Sequence, residues 1–443
     1  MDTVEHWVLD DDDRALVDRL AAGLGRDAAR VLAYLLLRRD HDRIERSLAT
    51  SMAIRIGTGL NGKAVDDALS RLEARDLVER TTVESSGGGR PPNAWHPALD
   101  RRETVDRVYR THATALLERA AAVADTARKS TDERDATGRP RGGSTGGTAD
   151  RSTPDDPREI AVGLNWRPNA LHLPLYAAVD AGAYERRGLD VTVTYHRGSH
   201  RALEAVLDGD ADIGLVGAGS VVRALAADRP VVPLAVLHQR TATVLYALRD
   251  RFREPFESAD QLRGRRILTT TGSETCLLAR LFLSQADLLD EIDLVDADGE
   301  ERDALIAGDA DVATGSFADP LELEADGWTV DVLPIGDHFP IYGLTLVGSG
   351  AEFEQTADAW RRFLAGTAAG WATARTDPDP AAASVAEETD EAASAVRERF
   401  ARAAESIGVG DAVREEGWGW HAPATWDRLA AALEQGDLLG EAR

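Results

Sequence analysis

The 443-residue chain contains one cysteine, Cys276, and only two lysines, Lys63 and Lys129. A single thiol excludes an intrachain disulfide framework and any zinc cluster built on cysteines. No run of about 18 apolar residues occurs, which excludes a transmembrane helix. The opening segment MDTVEHWVLDDDDR is acidic and lacks the apolar core of a secretory signal. The expectation is a cytoplasmic protein with no membrane association. No metal-ligand spacing or cofactor motif stands out, so neither metal nor cofactor is expected.

What the chain has in excess is carboxylate. It carries 51 Lys+Arg against 77 Asp+Glu, a formal net charge of −26. This acidic, Arg-rich and Lys-poor composition resembles proteins of salt-loving archaea, whose carboxylate surfaces stay hydrated where concentrated salt screens repulsion; an acidic protein of a GC-rich bacterium is the alternative. The charge is unevenly spread. Residues 1–150 hold 24 basic and 26 acidic residues, whereas the rest hold 27 and 51. A surface that must approach phosphates would be spared the acidic coat.

A chain of this length needs more than one core. Residues 131–157, rich in Gly, Ser, Thr, Asp and Arg, cannot bury a core and read as a flexible linker. Before them, apolar spacing predicts helices over 12–24, 27–39 and 49–60. Asn61 reads as the N-cap of a fourth, with Val65, Leu69 and Leu72 on one face. LVERTTV (77–83), the turn ESSGGGRPP and NAWHP (93–97) read as strand, turn, strand. A long helix over about 99–128, with Val105, Tyr109, Ala113, Leu116 and Ala120, completes this part.

After the linker, short strands alternate with helical segments, which predicts parallel βαβ units. Strands are expected at 159–164, 190–195, 211–216, 231–237, 265–270, 292–296, 311–315 and 329–334. LDGDADIGLVGAGS (207–220) and IAGDADVATGSFAD (306–319) echo each other. Each reads as a helix end, a tight turn, a strand and an open loop, which suggests two similar lobes. Chance recurrence of an Asp-rich turn is the alternative.

The order of elements in residues 1–97 resembles the winged-helix regulators, particularly archaeal ones. The resemblance lies in SMAIRIGTGLNGKAVDDALSRLEARDLVER and GGGRPPNAWHP. It implies an α+β domain that binds double-stranded DNA, with Asn61, Lys63, Arg71, Arg75 and Arg90 as candidate contacts. Asp66 and Asp67 sit unfavourably close to that face, and a domain used only for protein contacts is the alternative. Residues 98–130 are expected to form a dimerisation helix, giving a homodimer.

AVGLNWRPNALHLPLYAAVDAGAYERRGLDVTVTYH (161–196) resembles the NMT1/THI5-like family. That family includes binding proteins for thiamine-pyrimidine precursors, relatives for sulfonates, and fungal pyrimidine synthases. The resemblance extends over roughly 159–440 and implies that 158–443 form an α/β, two-lobed, periplasmic-binding-protein-like clamshell. Trp166, at a strand end, could stack on a flat heterocycle. Asn169 and His172 follow it. His172 to Pro174 aligns with the H-x-P of the fungal synthases, where the histidine is consumed as substrate. GAGS (217–220) and TGSET (271–275) open helices, so Ser220, Ser273 and Thr275 could contact ligand and Glu274 could accept from an exocyclic amine. Simple N-capping is the alternative for each. Ser316, Phe317 and Asp319 follow the echoed strand, and Tyr342 could face the cleft. The synthases' cysteine-rich iron-binding motif has no counterpart in FPIYGLTLVGS (339–349).

These readings converge on a non-enzymatic transcription regulator that senses a small molecule, with a thiamine-pyrimidine-type metabolite favoured. A pyrimidine phosphate synthase, or a binder of sulfonates or other solutes, is the alternative. A flexible tether would transmit little strain, so coupling would need direct contact between the halves.

Overall fold

The computed structural model describes residues 8–40, 48–83, 91–134, 157–389 and 391–440. The N-terminal unit opens with α1 (Arg14–Leu24) and α2 (Arg26–Asp40), joined at Gly25. Then come β1 (Ala49–Thr50), α3 (Ser51–Thr58), α4 (Gly62–Ala74), β2 (Val78–Thr82) and β3 (Asn93–Pro97). Thr50 caps α3 by accepting from the Ala53 amide, and Asn61 caps α4 by accepting from Ala64 at 2.9 Å. Gly59 takes the left-handed conformation that ends α3. Val65, Leu69 and Leu72 are buried, as their spacing predicts. The three strands form an antiparallel sheet in the order β1-β3-β2.

Helix α5 (Arg101–Arg134) follows. The stripe expected to pair two chains is instead spent within one. Tyr109, Ala113, Leu116 and Ala120 are buried, with Val108 and Leu117 beside them, in a core shared with α1 and the following lobe, and Val105 packs against it partly buried. The Tyr109 hydroxyl donates to the Arg19 carbonyl at 2.7 Å. The linker reading falls mainly on residues 135–156, outside the described residues, while 131–134 belong to α5.

The remainder builds two sheets. The first lobe holds β4 (Arg158–Leu164), α6 (Leu173–Asp180), β5 (Leu189–Tyr195), α7 (Ser199–Asp208), β6 (Ile213–Gly217), α8 (Ala218–Ala226) and β7 (Val231–Val236). The second holds β8 (Thr243–Leu248), α9 (Arg249–Phe252), β9 (Arg266–Thr269), α10 (Glu274–Gln285), β10 (Asp293–Asp296), α11 (Glu301–Ala307), β11 (Val312–Ser316), α12 (Ala318–Ala325) and β12 (Val330–Pro334). The chain then returns to the first sheet as β13 (Leu344–Ser349) and continues through α13 (Phe353–Thr376), α14 (Asp379–Glu387), α15 (Ala393–Ser406), α16 (Asp411–Glu416) and α17 (Pro423–Gln435). The sheet orders are β5-β4-β6-β13-β7 and β10-β9-β11-β8-β12.

All eight expected strands are present within two residues of their predicted bounds. The sequence reading misses β8 and β13, and both run antiparallel to their neighbours. Each enters its sheet directly from a crossing between lobes, with no α-helix before it. An alternating βαβ pattern therefore does not mark them.

The echoed segments do equivalent work. Gly209 and Gly308 end α7 and α11 in left-handed conformations. Asp212 and Asp311 then each accept from the neighbouring strand, from the amides of Ala161 at 2.8 Å and Arg266 at 3.1 Å. One apolar core runs from the N-terminal unit into the first lobe and includes Leu20, Leu32, Leu116, Leu234, Trp371 and Trp418.

Candidate functional site

The carboxyl ends of β4, β6, β9 and β11 face one another across a cleft of about 950 Å³. This is where open α/β sheets place ligands. Trp166, just past β4, is 48% exposed and offers its ring to the cleft. Asn169 also lines it, but its side chain caps the short turn Ala170–His172 by accepting from Leu171 at 2.9 Å. His172 is buried in the wall, and its Nε2 donates to Asn165 Oδ1 at 3.2 Å. His238, unread in the sequence, lies close by and donates from Nε2 to the Leu171 carbonyl at 3.0 Å. Burial pushes His172 down to about 3, helped by His238, and pushes His238 down to about 4. Both rings are therefore neutral, and with Nε2 donating, each Nδ1 is a buried acceptor without a hydrogen-bond partner.

Glu274 does something the sequence did not disclose. It is the first residue of α10 in the second lobe, yet it caps α8 of the first. Its Oε1 accepts from the Gly219 amide at 2.7 Å. Its Oε2 accepts from the Ser220 amide at 3.1 Å and the Ser220 hydroxyl at 2.6 Å. Burial raises its carboxyl above the ordinary range, and the three donors hold that rise back. The α8 start is therefore not an open anion site, and Ser220 meets Glu274 rather than the cleft wall. Ser273 and Thr275 do line the cleft. Ser273 Oγ caps α10 by accepting from Cys276, and it lies 2.9 Å from Thr275 Oγ1.

In the second lobe, Ser316 lines the cleft while its amide donates to Asp319 Oδ2 at 2.6 Å. Asp319 is pushed up by burial. Tyr246, on the unforeseen strand β8, is fully buried beside it with its hydroxyl unpartnered. Tyr342 lines the cleft, but its hydroxyl accepts from the Ala422 amide at 2.8 Å and its ring packs on Trp426. Arg302 and Arg399 also reach the cleft, and both pair with Glu322. Arg399 sits on α15, which packs beside the first lobe, so Arg399–Glu322 is a second polar link between the lobes. No sequence pattern marks Arg399.

The N-terminal candidates fare differently. Asn61 and Lys63 are exposed at the start of α4. Arg71 points instead to α16, donating to the Glu415 carbonyl at 2.7 Å and pairing with Glu416 at 3.0 Å. Arg75 turns inward to the Gly23 carbonyl at 3.1 Å. Arg90 lies outside the described residues. Arg55, on α3, is an exposed cation near Gly62 that the sequence reading passed over.

Residues 407–422 strap the two halves together. Trp418 is fully buried; its amide donates to the Ala22 carbonyl at 2.9 Å, and its own carbonyl accepts from His112 Nε2 at 2.6 Å. The next residues touch the end of β7 and the crossing that follows it. The Gly419 carbonyl accepts from Val236 at 3.0 Å, and the Trp420 carbonyl accepts from Gln239 Nε2 at 2.9 Å. Arg119 of α5 lies 4.0 Å from the centre of the Trp420 ring.

Two lobes joined by two crossings, with a cleft between facing strand ends, define a periplasmic-binding-protein-like α/β fold. Residues 169–381 match the family described as NMT1/THI5 like, and this region forms an NMT1/THI5-like domain. A formylaminopyrimidine-binding protein of Halalkalibacterium halodurans is 24% identical over 217 residues, which are 47% of this chain and 64% of that protein. A 4-amino-5-hydroxymethyl-2-methylpyrimidine phosphate synthase of Saccharomyces cerevisiae is 30% identical over 110 residues, 25% of this chain and 32% of that one. The matched segments thus span less than two thirds of either relative. Among solved structures, the periplasmic aliphatic sulphonate binding protein of Escherichia coli shares the fold at TM-score 0.52 and 19% identity, over 65% of this chain and 95% of its own.

Proposed function

We propose that the chain is a ligand-responsive transcription regulator in which the cleft binds a pyrimidine-like small molecule and the N-terminal unit binds double-stranded DNA. The observation that carries this reading is the strap. It touches α4 through Arg71, α1 through the Ala22 carbonyl, and the interlobe crossing through Gln239. A change in lobe angle at Gln239 would move the same segment that holds α4. The coupling that a tether alone would not provide is thus supported by direct contact. The winged-helix reading of residues 1–97 is supported by the helix and strand order, with α4 presenting its exposed Asn61 and Lys63. The pyrimidine reading is supported by the name of the formylaminopyrimidine-binding relative and by the exposed Trp166 ring.

The test is DNA binding by the full chain, measured by fluorescence anisotropy in molar potassium chloride, with and without aminopyrimidines that bind the cleft. The expected result is a change in DNA affinity on ligand addition, and a shallower salt dependence for Lys63→Ala. DNA affinity unchanged by every ligand that binds would refute the regulator reading.

A further inference from the structure

The cleft wall is rich in acceptors, and two of its three arginines and the first-turn amides of α8 are already committed. Among the described residues, nine acidic residues and three arginines line it. Of those arginines, Arg302 and Arg399 already pair with carboxylates, and Arg167 is exposed. The amides of Gly219 and Ser220 are taken by Glu274. Among the described residues, the buried unpartnered nitrogens of the wall, His172 Nδ1 and His238 Nδ1, are acceptors on neutral rings. At the start of α8, an anion would meet the Glu274 carboxylate where first-turn amides could otherwise have received it.

We propose that Glu274 sets the charge selectivity of the cleft. By filling the first turn of α8 from the opposite lobe, it closes an anion site and restricts the occupant to a neutral or cationic small molecule that brings its own N–H donors. This rests on the reading of the cleft as a ligand site and deepens it to a ligand class. Phosphate and sulfate esters are excluded, and amine-bearing heterocycles are favoured.

The experiment uses the full chain in molar potassium chloride. Equilibrium dialysis against radiolabelled sulfate, and calorimetry with 4-amino-5-aminomethyl-2-methylpyrimidine, compare the native protein with Glu274→Ala and Glu274→Gln. The native chain should bind the aminopyrimidine and show no stoichiometric sulfate binding. Glu274→Ala should gain one sulfate per chain, at least tenfold tighter than native. Both variants should lose about tenfold in aminopyrimidine affinity. Native binding of sulfate, or no gain in a Glu274→Ala protein whose circular dichroism is native, overturns the proposal. If Glu274→Ala does not fold, undiminished aminopyrimidine binding by Glu274→Gln overturns it. Failure of the native chain to bind any aminopyrimidine refutes the pyrimidine reading instead, and the sulfate comparison still decides the role of Glu274.

Discussion

Replacing Gly25 with alanine tests whether the strap is seated as described. Gly25 sits between α1 and α2 at φ 75° and ψ 172°, a conformation that side-chain-bearing residues avoid. A Cβ there would lie 2.1 Å from the Glu415 carbonyl oxygen, 2.4 Å from its carbon and 2.6 Å from the Arg414 oxygen. All three are backbone atoms, so no side chain can rotate away. Strain of about 1–3 kcal/mol adds to an overpacking cost of about 1–3 kcal/mol. The sum, about 2–6 kcal/mol, is a large part of the stability of an ordinary domain. Gly59 supplies the control. It has φ 69° and nothing within 4 Å of the added carbon, so its alanine variant carries only the conformational cost of about 1–2 kcal/mol. Urea unfolding in molar potassium chloride, followed by tryptophan fluorescence, reads the difference. Because one core joins the N-terminal unit to the first lobe, those parts should unfold in a single transition. If Gly25→Ala is no more destabilising than Gly59→Ala, the strap does not bear on α1 and the coupling argument fails.

Trp166→Ala should weaken binding of a flat heterocycle by roughly two- to tenfold, the worth of one aromatic contact, while leaving urea stability within about 0.5 kcal/mol. Calorimetry on the variant checks this, and unchanged affinity would remove Trp166 from the site. His172 has a folded value of about 3, below its unfolded value of about 6.5. Its contribution is therefore complete above pH 6.5 and is lost as pH falls toward 3, at up to about 1.4 kcal/mol per pH unit. His172→Gln should make the acid limb of stability against pH shallower by up to one proton; an unchanged slope would mean the ring is solvated. The net charge of −26 predicts that the melting temperature rises between 0.2 and 2 M potassium chloride, as the screening length shrinks to about 3 Å near 1 M. A flat or falling trend in differential scanning fluorimetry would contradict it.

What the sequence disclosed was local. Asn61 as a cap, the Val65–Leu69–Leu72 face and the paired G-D-A-D turns follow from spacing and backbone chemistry, and the structure has them. What stayed hidden depended on partners far along the chain. Arg71 has the spacing of a groove-facing residue, but Glu415 and Glu416 come more than three hundred residues later and claim it. The apolar stripe of α5 reads identically whether its partner is a second chain or α13. Glu274 was legible as an acceptor at a helix start. That its donors belong to the opposite lobe could not be read, because spacing within one βα unit says nothing of how two lobes meet. His238 and Tyr246 were missed because β8 and the crossing before it carry no periodicity of their own.

The strap also imposes an order of assembly. Residues 8–134 leave the ribosome hundreds of residues before Trp418, which at about 5–20 residues per second is a delay of tens of seconds. Throughout that interval the Ala22 carbonyl and His112 Nε2 await the segment that pairs them. The N-terminal unit is finished only by a chain that has already synthesised both lobes. A truncated or stalled product would display an incomplete version of it, with apolar surface around Leu116 left for chaperones or proteases to find. The closure between residues 22 and 418 thus joins the first hundred residues to a segment synthesised only after both lobes.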